Sequence, residues 1–298
     1  MISDWVKLTR LSNSMVAGLG VWLGQACMPA SFSREIFSSG NFFASFFRLN
    51  PTSTSSAILE SLLGFLIITL LAAAGNIHND VLDIEADRIN RPNRPLPSGR
   101  VNVLFASKVA IAIYLFSLLL ASFLGREAFT LTLAMAILLI IYNQKLKSLP
   151  LWGNGAVALL CALAIYFPEF PNLPKYTGLP MLFAFLTTFA RELAKDAEDL
   201  EGDAKAGRRT FPLLFGNQAS RYLTLALTFT VILLLPLPYF FMEYHVGYLL
   251  AIAFGALPLL LLELGSLSKA NPAWTQIQKR WKSIMLAGMV AILIGTRF

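Results

Sequence analysis

The sequence predicts an all-α polytopic membrane protein with about nine transmembrane helices, and three observations support that prediction. The 298 residues are 56% hydrophobic and only 14% charged, with a mean hydropathy of +0.63. Soluble domains average about 25% charged residues, so this composition excludes an ordinary soluble protein and a disordered one. The apolar residues fall in runs near the roughly 20 residues that cross a bilayer as a helix. Lysine and arginine, finally, are distributed unequally between the segments that join these runs.

Nine apolar runs are the candidate spans. In chain order they cover 9–29, 57–79, 101–123, 127–143, 151–167, 178–198, 219–241, 246–266 and 281–297. The runs are continuously apolar rather than alternating, which favours helices over a β-barrel. The first run has some features of a secretory signal, but the many spans that follow indicate an uncleaved first helix. The whole chain, 1–298, is therefore predicted to be one membrane domain.

The basic residues predict the orientation of the chain. With the N-terminus in the cytoplasm, 19 of the 24 Lys and Arg residues fall in cytoplasmic segments. Because cytoplasmic loops carry an excess of Lys and Arg, we expect a cell-membrane protein with its N-terminus inside and its C-terminus outside. The net charge of +7 has the same explanation and does not indicate nucleic-acid binding. The outer segment 30–56 is expected to lie at the membrane interface.

Ten of the 17 acidic residues lie in two short stretches, each at the end of an apolar run. The stretches share the offsets 0, 4, 7 and 11, with Asn76, Asp80, Asp83 and Asp87 in the first and Glu192, Asp196, Asp199 and Asp203 in the second. At about 100° per residue, these offsets predict one stripe along a helix. Carboxylates close to a bilayer are costly and by default functional. We interpret the two stretches as an internal repeat that forms the two halves of one site.

The residue types in these stretches favour magnesium. Oxygen ligands without histidine or cysteine select Mg²⁺ or Ca²⁺, and Mg²⁺ keeps coordination places for the phosphate oxygens of a substrate. The two cysteines and two histidines of the chain build neither a disulfide framework nor a zinc site. Both stretches lie at helix C-termini, where the helix dipole favours cations, and basic loops that suit a polyanion follow them. The alternative is a structural ion-pair network that caps two helices.

Both stretches resemble the signatures of the UbiA superfamily of intramembrane prenyltransferases. The matching segments are Asn79-Asp80-x-x-Asp83-x-x-x-Asp87-Arg88 with Asn93-Arg94-Pro95, Lys195-Asp196-x-x-Asp199-x-x-Gly202-Asp203 with Gly207-Arg208, Tyr142-Asn143-x-Lys145, and Arg10-x-x-Asn13. The resemblance implies nine helices around a central cavity that opens to the cytoplasmic side. Segment 84–100, IEADRINRPNRPLPSGR, is most similar to the branch of the family that transfers geranylgeranyl groups to geranylgeranylglyceryl phosphate in ether-lipid synthesis.

The resemblance also implies roles for individual residues. Two Mg²⁺ ions would be held by Asn79, Asp83, Asp87, Asp196, Asp199 and Asp203. The catalytic set would comprise Asp80, Asp83, Asp87, Asp196, Asp199 and Asp203. Within it, Asp80 and Asp196 are the candidate bases for an acceptor hydroxyl. The substrates would be bound by Arg10, Asn13, Asn76, Asn79, Arg88, Arg94, Tyr142, Asn143, Lys145, Arg191, Lys195 and Arg208.

These roles predict a prenyl diphosphate donor and a lipid or aromatic acceptor, with membrane lipids around the protein and neither nucleic acid nor an obligate protein partner. An aromatic acceptor would place the chain in a quinone, chlorophyll or haem pathway. Two other classes stay open. A cation-coupled transporter would need carboxylates near the centre of the bilayer, and a lipid phosphotransferase would release a nucleotide. Mg²⁺-dependent release of diphosphate distinguishes the expected reaction from both.

Overall fold

The computed structural model describes residues 2–29 and 54–297, and all regular secondary structure in these ranges is helical. Most of the predicted interface segment 30–56 lies outside the described residues, so its role stays a prediction. The chain divides into two compact units. One unit comprises Met1–Gln144 and Leu163–Lys175, and the other comprises Lys145–Ala162 and Tyr176–Phe298. The expected single membrane domain over 1–298 likewise stays a prediction.

The first unit is organised around one long helix. Its described helices are α1 (Ile2–Thr9), α2 (Leu11–Cys27), α3 (Thr54–Leu82), α4 (Ile84–Asn90), α5 (Val103–Leu124), α6 (Arg126–Gln144) and the C-terminal end of α7 (Trp152–Tyr166). Helix α3 packs against α1, α2, α5 and α6. Its 29 residues span roughly 43 Å at about 1.5 Å per residue, which exceeds the thickness of the hydrocarbon core.

Helix α5 turns its small residues inward and its large ones outward. Ala106, Ala110, Ser117 and Ala121 are buried four or seven residues apart along one face. The opposite face exposes Leu104, Phe105, Ile111, Leu115 and Leu119. Small residues let helix backbones approach closely, and lipid tails accept large apolar side chains as readily as a protein core does. The helix is therefore built to pack against α3 on one side and to contact lipid on the other.

Two glycines of α2 mark its closest helix contacts. A Cβ atom added at Gly18 would lie 2.2 Å from Oγ1 of Thr69 on α3. A Cβ atom added at Gly24 would lie 1.9 Å from the carbonyl oxygen of Ile165 at the end of α7. Neither distance leaves room for a side chain, so both positions need glycine for close approach.

The second unit is organised around α8 (Gly178–Glu198), which packs against α10 and α14. Its other described helices are the N-terminal part of α7, α9 (Leu200–Lys205), α10 (Phe211–Leu234), α11 (Leu237–Phe241), α12 (Val246–Ala251), a π-helical segment (Ile252–Ala256), α13 (Leu257–Leu267) and α14 (Trp274–Arg297). The π-helical segment ends two residues before Pro258, whose missing N–H and bulky ring disturb the regular hydrogen-bond ladder.

A helix lies over each of the nine predicted runs. In the ranges that the structure describes, five helical stretches are membrane-span candidates by length and apolar composition alone. These are Ile58–Leu82, Val103–Leu124, Arg126–Gln144, Phe211–Phe241 and Val246–Leu267. Nine crossings, and the cytoplasmic orientation, stay predictions. One predicted start was wrong, because α14 begins at Trp274 rather than 281. It extends beyond the apolar run through residues that include polar side chains, a start that hydropathy does not mark. Helix α10 begins at Phe211 but breaks at Gly216, which takes φ 82° and ψ 165°, so its continuous part starts close to the predicted 219.

Candidate active site

The first acidic stretch, from Asn76 to Asp87, is the first acidic motif of the site, and it spans a break between two helices. The second acidic motif is the stretch from Glu192 to Asp203. Helix α3 ends at Leu82, Asp83 takes φ −91° and ψ 8°, and α4 begins at Ile84. The hydrogen bonds continue across the break, because Asp83 N–H donates to the Asn79 carbonyl at 2.9 Å and Asp87 N–H donates to the Asp83 carbonyl at 2.8 Å. The predicted stripe therefore runs over two successive helices rather than one, because Asp87 lies on α4.

Arg94 connects the ends of this motif. Its NH1 group donates to Asp87 Oδ2 at 2.5 Å and lies 3.4 Å from Asp80 Oδ1. Asp80 and Asp87 are 4% and 7% exposed. Buried carboxylates need a partner of opposite charge, and a guanidinium that reaches both supplies one. Asp83 and Asn79 are half-buried beside them.

Arg10 reaches the same motif from the junction between α1 and α2. Its NH2 group donates to Asp80 Oδ1 at 2.8 Å. Arg10 has φ 46° and ψ 50°, in the left-handed region that is uncommon for residues other than glycine. Asn76 holds this junction to α3, since its Nδ2 group donates to the Thr9 carbonyl and to Ser14 Oγ, both at 3.1 Å. Asn76 therefore positions the junction in this structure.

A cavity of about 450 Å³ opens beside these groups. Its lining comprises Lys7, Arg10, Asp80, Arg91, Pro92, Asn93, Arg94 and Pro95. Lys7 and Arg91 were absent from the predicted site residues. Their sequence signals are modest: Lys7 precedes Arg10 by three residues, and Arg91 belongs to the same basic loop as Arg94.

The second acidic motif repeats the backbone break of the first. Helix α8 ends at Glu198, Asp199 takes φ −86° and ψ 13°, and α9 begins at Leu200. Asp199 N–H donates to the Lys195 carbonyl and Asp203 N–H donates to the Asp199 carbonyl, both at 2.9 Å. The third member of each spacing series thus occupies the helix junction, and its dihedral angles match within about 5°, well inside normal scatter. The internal repeat predicted from spacing is present in the backbone as well, although here too the helical stripe is interrupted.

Two carboxylates of the second motif, Asp196 and Asp203, accept hydrogen bonds from side chains of the same unit. Asn154 Nδ2 donates to Asp196 Oδ2 at 2.7 Å, and Arg208 NH1 donates to Asp203 Oδ1 at 3.0 Å. Asn154 was not among the predicted site residues, although it lies near the start of the fifth apolar run. Burial raises the pKa of Asp203, an effect that the adjacent Arg208 opposes and the nearby Asp199 reinforces.

Arg191 and Lys195 share one buried partner. Arg191 NH1 donates to Glu192 Oε1 at 2.6 Å, and Lys195 Nζ donates to Glu192 Oε2 at 3.3 Å. Glu192 is 7% exposed. This carboxylate therefore neutralises much of the positive charge that the sequence assigned to substrate binding at this position.

The other predicted binding residues are spread over the two units. Asn143 is buried, and its Nδ2 group donates to the Gly75 carbonyl at 3.1 Å, which ties α6 to α3. Arg88 is exposed and pairs with Glu85 at 2.8 Å. Asn13 and Lys145 are exposed, and Tyr142 is half-buried. Their roles in substrate binding stay predictions.

The donor set of each motif suits magnesium, since it consists of carboxylate and amide oxygens with no histidine or cysteine. Within the described residues, no three acidic, histidine or cysteine side chains already converge as a metal site would require. Arginine or asparagine donors occupy one oxygen of Asp87, of Asp196 and of Asp203. Because a carboxylate has a second oxygen, magnesium would compete with these donors without having to displace each of them.

Known proteins resemble the chain over nearly its full length. The model of the UbiA prenyltransferase family matches residues 42–283. A digeranylgeranylglyceryl phosphate synthase from Methanosarcina mazei is 31% identical over 298 residues, covering 99% of this chain and 98% of that protein. The synthase of the same name from Sulfolobus acidocaldarius is 34% identical over 236 residues, covering 78% of this chain and 85% of the relative.

Solved structures share the fold. One structure, from a study of digeranylgeranylglyceryl phosphate synthase in membranes, has a TM-score of 0.72 at 28% identity and covers 99% of this chain and 98% of that chain. A UbiA homolog from Archaeoglobus fulgidus, bound to GPP and Mg²⁺, has a TM-score of 0.63 at 20% identity. That likeness covers 98% of this chain and 99% of the homolog.

Proposed function

The chain belongs to the UbiA prenyltransferase family, and from that membership we propose that it transfers a geranylgeranyl group from its diphosphate to the hydroxyl of geranylgeranylglyceryl phosphate. The relatives named digeranylgeranylglyceryl phosphate synthase, similar from end to end, support this acceptor. The observation that carries the proposal is the repeated acidic motif. Each copy places an aspartate at a helix junction and ends in an aspartate paired with an arginine of the following loop.

Both motifs would act on one diphosphate. Asn79, Asp83 and Asp87 would hold one Mg²⁺, and Asp196, Asp199 and Asp203 would hold a second. Magnesium, when bound, supplies positive charge that offsets the charge developing on the leaving diphosphate. The homolog bound to GPP and Mg²⁺ supports the same substrate class for this fold.

The arginines would have two successive roles. Arg94 and Arg208 pair with Asp87 and Asp203 in this structure. If the carboxylates held a metal instead, the guanidinium groups of Arg94 and Arg208 would be available to diphosphate oxygens, which arginine binds with good geometry. Arg88 and Lys145, both exposed, would add further positive charge. This exchange of partners keeps the buried charges compensated before and after the substrate binds.

The proton of the acceptor hydroxyl would go to a carboxylate as the new C–O bond forms and the allylic C–O bond breaks. Asp80 Oδ1 already accepts from Arg10 and is approached by Arg94. Asp196 accepts from the neutral amide of Asn154. Asp80 and Asp196 are therefore both kept as candidate bases, Asp80 because it lies outside the proposed metal set and Asp196 because its donor is uncharged. Apolar helix walls would keep water from the allylic cation, and the ring of Tyr142 would stabilise it.

The test is transfer of a labelled geranylgeranyl group by membranes that contain the protein. We expect Asp83→Asn and Asp199→Asn each to lower the rate by about 100-fold or more, the scale on which loss of a charge-stabilising group acts. The matched control is Glu201→Gln, because Glu201 is an exposed acid beside the second motif and outside the proposed metal set. Transfer retained in both aspartate variants would reject the assignment.

A further inference from the structure

The cavity beside the first motif has a positively charged lining. We propose that it binds the phosphate of the acceptor, a phosphomonoester, while the donor diphosphate is held by the acidic motifs. Four cations, Lys7, Arg10, Arg91 and Arg94, line it with a single carboxylate, Asp80. The lining therefore carries a formal charge of +3, and Asp87, which pairs with Arg94 from outside the lining, offsets one unit of it. Because Arg10 pairs with Asp80 and Arg94 is assigned to the donor diphosphate, Lys7 and Arg91 are the cations assigned to the acceptor phosphate. This inference rests on the proposed function and assigns the acceptor's own phosphate a place.

The walls of the cavity are fixed to a hydrophobic core. Leu8 of α1 and Leu96 of the following loop are 1% and 2% exposed and belong to one buried cluster with Ile77 and Val101. Packing at this density holds α1 and the loop at 91–101 together. The cations on either side of the cavity are therefore carried by segments that cannot separate without opening a core.

An ion pair fastens the same two segments on the outside. Arg100 Nε donates to Asp4 Oδ1 at 2.9 Å, and Arg100 NH2 donates to the Asn93 carbonyl at 2.8 Å. Arg100 thus connects α1 to the loop residue that lines the cavity. It does not line the cavity itself, so it is a positioning residue for the proposed site.

The backbone of the lining is restricted before any ligand binds. Arg10 is held in the left-handed region, and the rings of Pro92 and Pro95 fix φ near −65° next to Arg91 and Arg94. Restricting a loop in its binding conformation lowers the entropy that ligand binding would otherwise cost. This arrangement of cations is thus prepared for an anion.

The excess of cations over carboxylates favours a metal-free phosphate. A magnesium diphosphate needs carboxylates to hold its metal, and the cavity offers only Asp80, already engaged by Arg10. A phosphomonoester carries about −1.5 to −2 at pH 7, which the lining charge suits. The volume of about 450 Å³ also falls within the range of about 300–1,000 Å³ typical of small-ligand sites. Lys7 and Arg91 are then the residues that select a phosphorylated acceptor.

The experiment compares the KM for each substrate in Lys7→Gln and Arg91→Gln proteins. We expect the KM for geranylgeranylglyceryl phosphate to rise roughly 10-fold or more in each variant, because each loses one charge-assisted hydrogen bond to the acceptor phosphate. The KM for geranylgeranyl diphosphate should stay within about 2-fold of the wild-type value, which corresponds to a change in binding free energy of less than about 0.5 kcal/mol. Lys108→Gln and Arg126→Gln are the controls, since both residues are exposed cations of the same unit and lie outside the cavity.

A binding measurement separates this inference from the proposed reaction. Glycerol 1-phosphate should raise the Tm of the wild-type protein and the two controls, and raise it less in Lys7→Gln and Arg91→Gln. If this pattern appears without any transfer to geranylgeranylglyceryl phosphate, the phosphate site stands and the proposed reaction fails. If transfer occurs but both variants keep the wild-type acceptor KM and Tm shift, the inference is wrong. A rise in the donor KM in place of the acceptor KM would also overturn it, by assigning the cavity to the diphosphate.

Discussion

Replacing Arg94 with glutamine tests how the first acidic motif is stabilised before a metal binds. Arg94 NH1 lies 2.5 Å from Asp87 Oδ2 and 3.4 Å from Asp80 Oδ1, and both carboxylates are buried. Arg94→Gln removes the guanidinium and keeps a side chain that can donate a hydrogen bond. Asp80 retains its contact with Arg10, so Asp87 takes most of the loss.

The magnitude follows from burial. Breaking a buried ion pair by removing one partner costs about 3–5 kcal/mol. The side chain of Arg94 is 23% exposed, so water screens part of the interaction and we expect ~2–3 kcal/mol in the absence of Mg²⁺. For a large domain, Tm falls by about 2–4 °C for each kcal/mol, which gives a loss of roughly 5–10 °C.

Magnesium should offset this loss. Without the guanidinium, Asp87 presents an unoccupied carboxylate oxygen to a cation, so Mg²⁺ should bind the variant more tightly than the wild type. A ligand at 100 times its Kd stabilises a protein by about 2.7 kcal/mol, enough to recover most of the deficit. The assay is thermal unfolding of detergent-solubilised protein over a series of Mg²⁺ concentrations.

Arg88→Gln is the control for that assay. Arg88 is 56% exposed and its partner Glu85 is 78% exposed, so its loss should cost under about 1 kcal/mol. An equal fall in Tm for both variants would contradict the reasoning about burial. An Arg94→Gln protein that gains no more from Mg²⁺ than the wild type would refute the proposed exchange between arginine and metal.

Two further changes test the packing and the tether. Gly24→Ala should lower the free energy of unfolding by about 1–3 kcal/mol because its Cβ would meet the backbone of Ile165. Gly265→Ala has open space around its Cβ and should raise that free energy by roughly 0.5–1 kcal/mol. Shifts of Tm in the same direction for both variants would refute the described packing. Arg100 lowers the pKa of Asp4 below its usual 3.8 through a hydrogen bond, so their pair stabilises the fold above pH 3.8 and loses this contribution as the pH falls through the lower folded value. Arg100→Gln should therefore lower Tm at neutral pH, and a deficit that does not shrink in acid would contradict that linkage.

Local patterns were enough to predict the helices and the acidic repeat. Hydropathy over about 20 residues identifies an apolar helix regardless of what packs against it. The spacing of the aspartates is likewise a property of short segments, and both copies occur at helix ends as expected. Such patterns do not locate the boundary of a helix that continues through polar residues, as α14 does at its N-terminal end.

The break inside each motif was not predictable from spacing. An ideal turn of about 100° per residue carries Asp87 onto the same stripe as Asp80, but the dihedral angles at Asp83 end one helix there and α4 begins at Ile84. The hydrogen bonds across Asp83 and Asp199 keep the helical pattern. Neither proline nor glycine lies next to either break, since Asp83 is flanked by Leu82 and Ile84 and Asp199 by Glu198 and Leu200.

Partners distant in sequence were also missed, for a physical reason. Asn154 contacts Asp196 across 42 positions, and Lys7 reaches the cavity from a helix more than 80 residues before Arg91. Only the packing of helices brings such residues together. The same packing gives Glu192 two basic partners, Arg191 and Lys195, so that a charge count alone overstates the cations available to a substrate.

The most direct measurement of the central claim is the binding of a non-hydrolysable geranylgeranyl diphosphate analogue, with Mg²⁺, to Asp87→Asn, to Asp203→Asn and to the double variant. If the two motifs hold the same diphosphate, each single change removes most of the affinity and the double variant loses little more, so the free-energy losses are strongly coupled. Losses that add independently, or a variant of either motif that binds the analogue as tightly as the wild type, would contradict the claim.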